Sequence, residues 1–114
     1  MRAFDAGQYF EAHELWEELW NDAEGEERQL YQALVQIAAG YAKLDIGEGN
    51  GARKLFERGL ARLGACSLTT RLHPVFVPAV TEALRHLRTL PFGAAAGLES
   101  VPRPRIGLEE WEQR

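Results

Sequence analysis

The chain has one cysteine, Cys66, and one methionine among its 114 residues. A lone cysteine excludes an intrachain disulfide and any C-x-x-C redox or zinc motif, so Cys66 is expected to act as a small, buried or half-buried apolar group. Long hydrophobic runs are missing as well. No apolar stretch reaches the roughly 18 residues that a membrane span needs, and MRAFDAGQYF at the N-terminus is not a signal-peptide core. The expectation is therefore a cytoplasmic protein without a membrane partner. There is no excess of positive charge: 17 acidic against 13 basic side chains leave a net charge of −4, which speaks against nucleic acid as a partner. Period-two alternation, the mark of a half-buried strand, is absent too.

Hydrophobic residues make up 46% of the chain and charged residues 26%, enough apolar material for one globular core. Charge is unevenly spread. Residues 1–30 carry nine acidic and two basic side chains, whereas residues 31–90 carry four acidic and eight basic ones. Pairing between neighbouring helices is the simplest reading of that asymmetry.

Helical periodicity dominates. The first helix is expected over residues 6–22, with Asp5 as its N-cap and Gln8 as the capping-box partner. Gly25 interrupts it. A second helix is expected over residues 27–44. Leu30, Leu34, Ile37, Tyr41 and Leu44 form one apolar stripe there, while Tyr31, Val35, Ala38 and Ala42 cover a second side, which suits a central helix. The glycine-rich IGEGNG (46–51) reads as a loop. A third helix, over residues 51–63, turns Leu55, Phe56, Gly59, Leu60 and Leu63 inward. A fourth, over residues 75–90, uses Val77, Val80, Leu84 and Leu87. From Pro91 onward the chain is rich in Gly, Ala and Pro and is expected to form an extended arm, with GLEEWEQR as one terminal turn and Trp111 docking on this chain or on a neighbour. The reading is thus an all-α fold: an antiparallel helical bundle of about four helices over residues 1–90, followed by a C-terminal arm over residues 91–114.

The stretch EAHELWEELW (11–20) is the most informative. On a helical wheel with His13 at zero, Trp20 falls near ~−20°, Tyr9 near ~−40°, Trp16 near ~−60°, Glu17 near ~+40° and Phe10 near ~+60°. Glu11, Glu14 and Glu18 fall on a solvated side, between about +100° and +160°. Glu17 instead joins His13, one turn away, within the aromatic face. Placing both among aromatic rings is costly unless they are paired or bound. Gln29, Gln32 and Gln36 form a narrow polar line on the second helix that could supply partners.

His13, Glu17 and Trp20 spell HxxxExxW. Together with FDAGQYFEAHE, GEERQLYQALVQIAAGYAKL and GNGARKLFERGL, this pattern resembles a bacterial and archaeal helical family, domain of unknown function number three hundred and nine, over about residues 4 to 63. The resemblance implies an all-helical fold and a metal-binding role for the motif, with no established activity. The tail after about residue 90 lies outside the resemblance.

Two functional readings follow. In the first, His13 and Glu17 are ligands of a divalent metal, or line a small-ligand site, with Trp20, Gln32 and Gln36 around the bound group. Imidazole and carboxylate at i, i+4 can chelate one ion from a single helix, but zinc usually takes three or four protein ligands. HELWE resembles the HExxH zinc signature with its second histidine replaced, and the metalloprotease reading is set aside for that reason. In the second, the chain is a non-catalytic interaction module or a homodimer. The His13–Glu17 pair is then a buried hydrogen bond that sets helix register, with Trp16 and Trp20 as plain core. The second and third helices, with Gly40, Ala52, Phe56 and Gly59, loosely echo one tetratricopeptide-like hairpin, but repeat stacking needs about three units. An enzyme is the less favoured class. A histidine beside a carboxylate suits acid–base work, yet no nucleophile, phosphate loop or cofactor motif accompanies it. Ser67, Thr69 and Thr70 are expected in a loop, and His73 and His86 at the surface.

Overall fold

In a computed structural model, which describes residues 2–90, 98, 101–104 and 106, the chain is an all-α bundle with no strand among those residues. Helix α1 covers Arg2–Asp5, α2 Tyr9–Asp22, α3 Gly25–Asp45, α4 Gly49–Gly64 and α5 Phe76–Thr89, with a 3₁₀ turn at Ser67–Arg71 between the last two. The central helix is α3, which packs along α2 on one side and α4 on the other, while α5 packs against α4. Every residue of the stripe expected on α3, from Leu30 to Leu44, is buried. No helix among the described residues is long and apolar enough to cross a membrane.

The helix expected over residues 6–22 starts only at Tyr9, and a separate short helix, α1, precedes it. Gly7 takes a left-handed conformation, with φ at +81°, which a residue without Cβ adopts at little cost. That turn ends α1 and lets α2 start afresh at Tyr9, behind Gln8, whose side chain makes no cap hydrogen bond. Asp5 is not the cap of a long helix. Its Oδ1 accepts a hydrogen bond of 2.6 Å from the backbone N–H of Ile106. The break folds Phe4 back into the core, where it is fully buried and meets the rings of Tyr9, Trp16, Tyr41 and Phe76 at centroid distances of 5.1, 5.5, 5.8 and 5.7 Å. The glycine-rich loop is shorter than its composition suggests. Gly47, at φ +78°, supplies the turn, and Gly49 already opens α4.

Helices α3 and α4 approach closely at two glycines. A Cβ added to Gly40 would lie 2.5 Å from Phe56 Cε1, and one added to Gly59 would lie 2.7 Å from Ile37 Cγ1 and 3.1 Å from the Ala33 carbonyl oxygen. These two glycines let the helix backbones approach until ring and chain fill the gap. On α4 the buried residues are Ala52, Phe56, Gly59 and Leu63, with Leu55 and Leu60 only half-buried. On α5 they are Phe76, Val80, Ala83, Leu84 and Leu87, with Val77 at the margin. Cys66 is buried, and its thiol donates to the Glu26 carbonyl oxygen at 3.6 Å.

Described residues beyond the fourth long helix return to the bundle. Leu98, Val101 and Ile106 are buried. Tyr41 donates from its hydroxyl to the Pro102 carbonyl oxygen at 2.9 Å, and Arg103 pairs with Asp45 at 2.8 Å. Burial, and next the neighbouring Tyr9, push the Tyr41 phenol well above its ordinary pKa. Trp111 and the expected terminal turn lie outside the described residues.

Candidate functional site

Helix α2 is amphipathic, and its burial pattern locates its inner side. Tyr9, Ala12, Trp16 and, just past the helix, Ala23 are buried. On the wheel set at His13 they centre near about −70°. His13 therefore sits at the edge of the buried face rather than at its middle, and Glu17 and Phe10, on the far side of it, turn outward. The His13 side chain is 27% exposed and that of Glu17 is 50% exposed, and Phe10 is 66% exposed. This corrects the expectation of an inward-pointing acid. The aromatic residues alone suggested a face centred on His13, whereas Ala12, small enough to sit against a neighbouring backbone, marks where the helix makes its closest contact.

His13 Nε2 lies 3.7 Å from Glu17 Oε2. That is ion-pair range, too long for a hydrogen bond. Its Nδ1 is shielded from solvent and has no hydrogen-bond partner among the described residues. The Phe10 ring runs nearly parallel to the imidazole, at 18° and 6.1 Å between centroids. His13, Glu17, Trp20, Gln32 and Val35 together line a small cleft of about 230 Å³ on the α2–α3 seam. Trp20 is half-buried, its indole N–H lies unpartnered among the described residues, and the Arg28 guanidinium covers its ring at 4.1 Å.

The structure brings four of the expected site residues together: His13, Glu17, Trp20 and Gln32. It does not bring Gln36. Arg62 of α4 donates from Nε to Gln36 Oε1 at 3.2 Å and from Nη1 to Gln29 Oε1 at 2.9 Å. Helix geometry explains the split. Gln29 and Gln36 are two turns apart and nearly eclipsed, while Gln32 is rotated about 40° to 60° from them, toward α2.

A second cavity was not foreseen. Gly7, Gln8, Tyr9, Phe10, Glu11 and His13 from the start of α2 face Ala39, Ala42, Lys43, Asp45 and Ile46 from the end of α3, around a mostly apolar groove of about 630 Å³. It exists because α3 shows α2 two alanines here, and because the chain before Tyr9 is a glycine turn. The available signals were the small Ala39 and Ala42, in line with Val35 and Ile46, opposite a Phe10 that the inner face leaves out. His13 borders both cavities. Lys43 is paired with Glu48 at 3.0 Å and Asp45 with Arg103. Glu11 has no ion-pair partner among the described residues.

As a metal centre the cleft is short of donors. Among the described residues no three His, Cys, Asp or Glu side chains come together, and His13 and Glu17 alone fall below the three or four protein ligands usual for zinc. The described residues supply two of the ligands that a tightly held ion would take.

Against known sequences, residues 1–55 match the family model described as a domain of unknown function (DUF309). This is the family the motif and its flanking blocks resemble, matched to residue 55 rather than to about 63. No curated protein and no solved structure matches the chain.

Proposed function

We propose, for a chain whose first 55 residues match the DUF309 family model, a helical binding domain in which His13, Glu17, Trp20 and Gln32 receive the polar group of a small organic ligand. The observation that carries this is the environment of His13. An imidazole that is nearly three-quarters buried, with a shielded Nδ1 that no described residue satisfies, leaves a polar group under-used, and buried polar atoms are ordinarily satisfied. The structural reading explains it less well. At 3.7 Å, with Glu17 half exposed, the pair contributes no more than the few tenths of a kcal/mol typical of a helix-surface ion pair. The donor count favours an organic ligand over a divalent metal.

Fragment screening by NMR, following the His13 ring and the Trp20 indole signals, tests it. The expected outcome is shifts clustered on His13, Glu17, Trp20 and Gln32 that disappear in His13→Ala. A library that leaves these signals unmoved would sink the proposal. Metal analysis of protein purified without an affinity tag separates the ligand kinds: stoichiometric metal that is lost in His13→Ala would replace the organic ligand with an ion.

A further inference from the structure

We infer that the ligand is an amphiphile: an apolar alkyl or aryl body lying in the groove of Tyr9, Phe10, Ala39, Ala42 and Ile46, with a cationic ammonium head at the His13–Glu17 cleft. The inference rests on the binding role proposed above and names its ligand class.

Continuity is the first support. His13 borders both the apolar groove and the polar cleft. On α3 the lining residues Gln32, Val35, Ala39, Ala42 and Ile46 fall within an arc of about 80°, so they form one strip facing α2. The larger cavity, about 630 Å³, has the size of a small-molecule site. Two apolar side chains at its rim, Phe10 and Ile46, are each 66% exposed, although burying such groups is favourable.

Charge chooses the head group. Helix α2 carries Glu11, Glu14, Glu17, Glu18 and Asp22 and no Lys or Arg. Lys43 and Asp45 are each neutralised by a partner and the Arg28 guanidinium is stacked on the Trp20 ring, so the carboxylate beside the groove is Glu11 and that of the cleft is Glu17, 3.7 Å from His13. A carboxylate head would be repelled, and a neutral one would gain nothing from the field. A second copy of the chain docked through its own α2 is disfavoured, because two α2 helices brought together would set like charges against each other.

The probes are n-octylammonium, n-octanol, octanoate and methylammonium, with intrinsic tryptophan fluorescence and NMR shifts as readouts. Octylammonium should bind best, with octanol weaker by about threefold to tenfold and octanoate weaker still. Affinity should rise about threefold to fourfold per methylene from butyl- to octylammonium. Phe10→Ser combined with Ile46→Ser should flatten that chain-length dependence. Glu11→Gln combined with Glu17→Gln should bring octylammonium down to the level of octanol, with octanol unchanged. Equal binding of octanol and octylammonium by the unmodified protein overturns the cationic head. Methylammonium binding as well as octylammonium overturns the amphiphile but leaves the cleft as a binding site. If fragments too leave the His13 signals unmoved, the cleft itself is lost. A dimer in light scattering that Phe10→Ser with Ile46→Ser dissociates also overturns the proposal, since a second copy would then fill the groove.

Discussion

Helix α3 has two seams, and they are built to opposite standards. Toward α4, Gly40 and Gly59 remove every spare atom, and Phe56 and Ile37 occupy the space that any Cβ would need. Toward α2, Ala39 and Ala42 leave space that nothing described fills, with Phe10 and Ile46 exposed beside it. One helix with the same small-residue chemistry on both sides thus makes a closed joint and an open one. The difference is whether a large side chain from the neighbour enters the gap. Phe56 does so from α4. On α2 the corresponding ring, Phe10, lies on the outer side of His13. Close packing is what stabilises a fold, and an unfilled apolar groove with a polar end is what binds a ligand.

Substitutions can break or sharpen this contrast. Phe4→Ala, which empties the junction of four rings behind the closed side, should destabilise by about 3–5 kcal/mol, as measured by urea unfolding. Gly40→Ala should cost about 1–3 kcal/mol by overpacking against Phe56, despite the better helix propensity of alanine. If it instead raised the unfolding midpoint, the closed joint would be looser than described. Tyr41→Phe removes the hydrogen bond to Pro102 and should cost about 1 kcal/mol at neutral pH. It should also flatten the alkaline limb of the stability profile. A phenol whose folded pKa is raised contributes stability below its unfolded value of about 10, and that contribution declines as pH rises above it. On the open side, His13→Ala and Glu17→Gln should each change stability by less than about 0.5 kcal/mol. A loss of several kcal/mol in both would restore the pair to a structural role.

The smallest effect concerns Glu26. Its carboxylate accepts hydrogen bonds from the Ser67 hydroxyl and backbone N–H, at 2.5 and 3.2 Å, and these hold its pKa below the ordinary value. A depressed carboxylate contributes stability above its unfolded pKa and loses it as pH falls through the lower, folded one. Ser67→Ala should therefore shift the acid-unfolding midpoint slightly upward.

Much of the bundle was legible in one dimension. The α3 stripe and the three later helices, to within two residues at each end, follow from spacing, and the family that the quoted blocks resemble is the one whose model matches residues 1–55. Other features were not. Gly7 was one glycine within a good helical pattern, and nothing local showed that Phe4 would fold back on Tyr41. The bulky aromatics alone centre the inner face of α2 on His13, whereas the buried side, which includes Ala12, centres about 70° away. Gln36 lies on one face with Gln32 in the sequence pattern, yet Arg62, 26 residues further along, takes it.

Helix periodicity is a local property, so the order of residues alone was sufficient to establish a helical bundle, its central helix and the placing of His13, Glu17 and Trp20 within one stretch of a single helix. Cavities are different, because they depend on what a neighbouring element fails to fill. Whether Glu17 meets water, whether Ala39 and Ala42 leave a groove, and which glutamine reaches His13 were settled only when α2, α3 and α4 packed together and each side chain met the partner that burial and hydrogen bonding required.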